Sequence, residues 1–148
     1  MALTVDEIRE YVRDKADLNI LLEGREQSSD VDIKMAMRLA ISDVNGVAPV
    51  TQFTAESLNN DAILLYGTLH HLANMEAERQ LRNQVNYSAQ GLNAGIDDKM
   101  QQYNSLATYY KQLFDTKVKE YKVYLNAKQA WGDSFSPYSV LNPHNYRS

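Results

Sequence analysis

The stretch IDDKMQQYNSLATYYKQLFDTKVKEYKVYLNAKQAW, residues 96–131, places Ile96, Met100, Tyr103, Ala107, Tyr110, Phe114, Val118, Tyr121 and Leu125 at steps of three or four. That spacing keeps one apolar stripe on one side of a 3.6-residue helix, and no proline interrupts it. Thirty-six residues of helix span about 54 Å at 1.5 Å per residue. A compact domain of 148 residues is narrower than that, so the far end is expected to project or to pack on another subunit. The chain is therefore read as all-α: a small helical bundle with one long C-terminal helix.

Working back from residue 96, Asn83–Gly95 (NQVNYSAQGLNAG) breaks the helical period with two glycines and three asparagines. It reads as a loop or short hairpin insert. Val85, Tyr87 and Leu92 are the side chains that would reach a partner from it. Before it, a third helix starts at Thr54 with Ser57, or at Asn59-Asn60, and runs to about Asn83. Leu58, Ala62, Leu65, Leu69 and Leu72 line one face, and Ile63, Tyr66, Ala73, Ala77 and Leu81 an adjacent one. Two apolar stripes predict a central helix contacted from two sides. Gly67 lies within it, where glycine costs about 1 kcal/mol against alanine. It marks a close helix approach or a bend.

The second helix opens at Ser28-Ser29, with Asp30 and Asp32 suited to its N-terminal dipole. Ile33, Met37, Ala40, Ile41 and Val44 form its stripe, and Asn45-Gly46 is a C-cap signal. The first helix carries a capping box, Thr4 with Glu7, and Leu3 can staple to Ile8. It is expected to end near Ala16 or Asp17, followed by a short turn of helix or a packed connector through Leu18–Leu22 that closes at Gly24.

After residue 131 the pattern changes. Gly132–Ser148 (GDSFSPYSVLNPHNYRS) holds two prolines, two tyrosines and a phenylalanine, with almost no charge. Disordered tails are usually charged and poor in aromatics. This one reads as an extended arm that docks on a neighbour through Phe135, Pro137, Tyr138, Leu141, Pro143 and Tyr146. The organisation is thus a helical body, 1–131, and an arm, 132–148. Tyrosine combines a large apolar face with a polar tip and is enriched at interfaces. Tyr109 and Tyr124, partly off the main stripe, and Trp131 at the helix exit are the candidates for subunit contact.

Charge narrows the function. The total is −4, distributed as −4 over residues 1–50, −2 over 51–95, +2 over 96–131 and zero in the arm. That is not the basic footprint of a sequence-specific nucleic-acid binder. No apolar run approaches the roughly 20 residues of a membrane span, and the acidic N-terminus does not read as a signal peptide. The chain has no cysteine, which excludes thiolate chemistry and disulfides. His70 and His71 are adjacent and point about 100° apart on a helix, away from the i, i+4 spacing of a zinc motif. Asp97-Asp98 and Asp30/Asp32 sit at helix starts, where acids favour the dipole. No catalytic residue, cofactor or metal site is expected, and the chain is not read as an enzyme.

Three local features carry a resemblance: Ser28-Ser29-Asp30 opening a helix with Ala36-Met37 and Ala40-Ile41, the NQVNYSAQGL insert between two long helices, and the NAKQAWG exit into a proline-containing arm. With the order of helices, they resemble the head–tail connector (adaptor) proteins of tailed bacteriophages. The resemblance implies a structural virion protein, made in the host cytoplasm and located in the neck. It implies a homo-oligomeric ring, usually of twelve copies, between the portal protein and a downstream neck or tail protein. Double-stranded DNA would pass through that ring without sequence-specific binding, and the arm would dock on the portal. The rival readings are a free-standing helical regulator that binds one partner with its arm, and another neck or tail-completion protein.

Overall fold

The computed structural model describes residues 2–19, 22–88 and 99–131, with only the backbone described at 84–88 and 131. Among the described residues four α-helices follow in order: α1 (Val5–Val12), α2 (Asp30–Gly46), α3 (Asp61–Ser88) and α4 (Lys99–Trp131). No strand occurs among the described residues. None of the described helices is long and apolar enough to cross a membrane.

The expected capping box of α1 forms, and α2 has a second one. Thr4 Oγ1 accepts from the Glu7 amide while the Glu7 carboxylate accepts from the Thr4 amide; Ser29 and Asp32 repeat the arrangement at α2. α1 is shorter than its sequence suggests. It stops at Val12 because Arg13 turns left-handed (φ 58°) and its amide bonds back into the last turn. The chain then folds through a series of turns, with Gly24 at φ 73°. Leu18 in this connector is exposed, whereas Leu22 is half-buried.

α3 is the central element, packed on α2 on one side and α4 on the other. Its start matches the Asn60 alternative: Asn60 Oδ1 accepts from the Ile63 amide at 3.2 Å. Thr54 and Ser57 make a separate turn upstream. Between the two helical sides lie Leu64 and Thr68, both buried and neither part of the expected stripes. Thr68 satisfies its hydroxyl on the Leu64 carbonyl at 2.7 Å. Leu81, placed in a stripe by its spacing, is exposed instead.

Two apolar clusters hold the fold. Ala40 and Val44 of α2 join Leu58, Ile63 and Leu64 with Phe114 and Val118 of α4. Ile8 of α1 packs with Ile33 and Leu69, and half-buried Tyr66 and Tyr110 close around them. Gly67 sits where the three long helices meet. A Cβ there would lie 2.7 Å from the Ala40 Cβ and 2.7 Å from Phe114 Cε2. Close approach, not a bend, is the reason for glycine.

Further expectations are corrected. The helical ladder of α3 continues to Ser88, so residues 83–88 are helix and not loop or hairpin; Val85 and Tyr87 lie in its last turns. A run of asparagine and glutamine is compatible with helix when a preceding helix propagates into it. Second, Asn45-Gly46 does not end α2 with a left-handed cap. The cap is extended Val47, and Asn45 turns its amide to the following loop. Lys122, among the exposed lysines of the C-terminal half of α4, is buried. Leu92 and the arm residues Phe135, Pro137, Tyr138, Leu141, Pro143 and Tyr146 lie outside the described residues.

Candidate interaction surface

α4 separates its side chains by depth. Ala107, Phe114 and Val118 are buried, and Tyr103, Tyr110, Tyr121 and Leu125 are half-buried along the expected stripe. Outside that stripe, large apolar groups face solvent: Tyr109 is 55% exposed, Val123 61% and Tyr124 58%. Tyr109 and Tyr124 are fifteen residues apart, which leaves them within about 60° of each other around the helix and about 22 Å apart along it. Both therefore look out from one side of a single rigid rod. Tyr109 is braced by Tyr110, ring centroids 5.6 Å apart. Trp131 ends the helix. Exposed Val47 and Val50 lie in the loop that packs against the C-terminal half of α4.

That loop is built from one side chain. Asn45 Oδ1 accepts from the Phe53 amide (2.8 Å) and the Thr51 hydroxyl (3.1 Å), and Asn45 Nδ2 donates to the Phe53 carbonyl (3.0 Å). Lys122 then ties the loop to α4. Its Nζ donates to the Pro49 carbonyl (2.8 Å) and Thr51 Oγ1 (2.7 Å), and it stands 5.7 Å from the Phe53 ring. Burial without an anionic partner pulls its pKa below that of an ordinary lysine.

A second polar feature lies under α1. Asp14, nearly buried, accepts from Asn19 Nδ2 (2.7 Å), the Gln27 amide (2.6 Å) and the Ser28 amide (2.8 Å), and faces Arg9 at 3.4 Å. Arg9 also reaches Asp30 (2.6 Å) and Glu26 (3.1 Å). Burial alone would lower the Arg9 pKa, but the Asp30 hydrogen bond and the three surrounding carboxylates outweigh it and raise it. Gln27 Nε2 continues the network to the Tyr103 hydroxyl at 2.8 Å, joining the connector to α4. Helical periodicity does not single out Arg9, Asp14 or Gln27, because their partners lie across turns and not along one face.

His70 and His71 are placed as structural links. His70 Nδ1 lies 3.0 Å from the Ala107 carbonyl and Nε2 lies 3.2 Å from Asn74 Nδ2, which fits a neutral ring protonated at Nδ1. His71 Nε2 pairs with Asp43 at 2.7 Å, joining α3 to α2. Among the described residues no group of three or more His, Asp or Glu is placed to hold a metal ion.

Burial lowers the His70 pKa below its ordinary 6.5, partly opposed by the bond to Ala107. As pH falls below that value, the unfolded chain takes up a proton before the folded one does, so unfolding gains. Stability is therefore expected to drop between about pH 7 and about pH 5, and to drop less in His70→Gln. Melting temperatures of both proteins at the two pH values check this; an equal drop in both would assign the effect to other groups.

The exposed side of α4, the clamped loop and the buried polar network are thus features of position. No family model, no curated protein and no solved structure matches this chain.

Proposed function

We propose that this chain is a structural, non-enzymatic virion protein: a head–tail adaptor that forms a homo-oligomeric ring between the portal protein and a downstream neck or tail protein of a tailed bacteriophage. The observation that carries the reading is the outer side of α4, where Tyr109, Val123 and Tyr124 stay exposed on one long helix. Large apolar and aromatic groups exposed along one side of a helix suit contact with another protein. A ring repeats each such contact, so individually weak interfaces hold together by avidity. The net charge of −4 suits a channel through which DNA slides, because basic walls would bind phosphate. Residues 132–148 are assigned to the portal, through Phe135, Tyr138 and Tyr146 with their flanking prolines.

Native mass measurement, alone and with purified portal rings, tests this. The expected result is a ring of defined copy number, either free or seated on the portal. A variant with Phe135, Tyr138 and Tyr146 replaced by serine should keep its helical circular dichroism and lose the portal. A chain that stays monomeric and ignores portals overturns the proposal and favours a free-standing regulator.

A further inference from the structure

The groove between the 47–53 loop and α4 has a charge pattern that its structural role leaves unexplained. It encloses about 340 Å³ and is lined by Val47, Ala48, Val118 and Val123, with Lys119, Lys122 and Asp115 as its charged members. Asp115 is already taken: Lys111 Nζ lies 2.6 Å from its Oδ1. Lys119 and Lys122 have no acid partner among the described residues. Lys119 is exposed, but Lys122 is only 2% exposed. Buried lysines are ordinarily paired with a carboxylate. Here the ammonium has two neutral oxygens and the Phe53 ring at 5.7 Å, but no carboxylate. The walls are preset, since Asn45 holds the loop at both Thr51 and Phe53.

We propose that this groove is a docking site for an acidic, otherwise apolar segment of a partner polypeptide, whose carboxylate pairs with exposed Lys119 in the field of the buried Lys122 while its apolar neighbours cover Val47 and Val123. Charge complementarity selects the occupant: two cations without acid partners stand in an apolar groove. The inference does not require a ring or a phage partner.

The test uses the full chain, isotopically labelled, titrated with acetyl-Leu-Glu-Leu-amide and with its Gln counterpart. The expected result is saturable shifts at the amides of Val47, Lys119 and Val123, with the Glu peptide binding about tenfold more tightly than the Gln peptide, as a lost charge-assisted hydrogen bond implies. Lys119→Gln, an exposed change that spares the fold, should remove part of that preference, and Lys119→Gln with Lys122→Met all of it. Equal binding of the two peptides, shifts confined to other surfaces, or no shift at millimolar peptide would overturn the proposal. So would two other outcomes without peptide. Loss of an oligomer in the double variant would make a second copy the occupant. Shifts at residues 132–148 in that variant would make the arm the occupant.

Discussion

Replacing Asp14 by alanine is expected to lower the stability of the fold by about 3 kcal/mol, as removal of one member of a buried charge network typically does. The carboxylate serves four donors at once: the Arg9 guanidinium, the Asn19 amide group and the backbone N–H groups of Gln27 and Ser28. Alanine leaves two half-buried backbone donors without an acceptor and removes one of the anions around Arg9, which keeps Glu26 and Asp30. Asparagine does not repair the site, because its NH₂ would face either Arg9 and Ser28 or Asn19 and Gln27, donor against donor. Asp30→Ala should cost far less, since its carboxylate is largely exposed and screened by water. Urea unfolding of the three variants checks the order. An Asp14→Ala protein as stable as wild type would mean that the connector folds without this network.

The second large effect is at Gly67. Alanine gains about 1 kcal/mol of helix propensity there, yet overpacking of a close-packed core costs about 1–3 kcal/mol and occasionally more. The upper end applies, because one of the two atoms 2.7 Å from the new methyl is the Ala40 Cβ, which moves only with the α2 backbone. The expected net loss is about 2 kcal/mol. The other atom belongs to the Phe114 ring, which a smaller side chain can withdraw. Phe114→Leu alone opens space in the core and destabilises, but combined with Gly67→Ala it should cost about 1 kcal/mol less than the sum of the two. Additive losses in thermal or urea unfolding, or a stabilising Gly67→Ala, would contradict the three-helix crossing described here.

How far the sequence carries depends on whether a feature is periodic or singular. The α4 stripe from Tyr103 to Leu125 and the Thr4–Glu7 capping box are legible because each is set by spacing within one helix. The exposure of Tyr109 and Tyr124 follows from the same spacing. Val85 and Tyr87 were misplaced by composition: asparagine and glycine favour turns, but cooperative propagation from a packed α3 extends the helix to Ser88. Lys122 shows the opposite failure. Its neighbours Lys117 and Lys119 are exposed, and nothing in the local sequence separates it from them.

The sequence by itself determined the all-helical class, the order of the elements, the central place of α3 and the exclusion of cysteine chemistry, since these rest on residue type and period. Only the tertiary structure decided which polar groups lie inside. Asp14 gathers amides thirteen and fourteen residues away, and Lys122 meets the carbonyl of Pro49 from seventy-three residues away. It also decided why Gly67 is glycine, because the atoms that forbid a side chain there come from two other helices. Hydrogen bonds and close contacts between distant segments have no period to read, and they exist only once packing has brought the segments together.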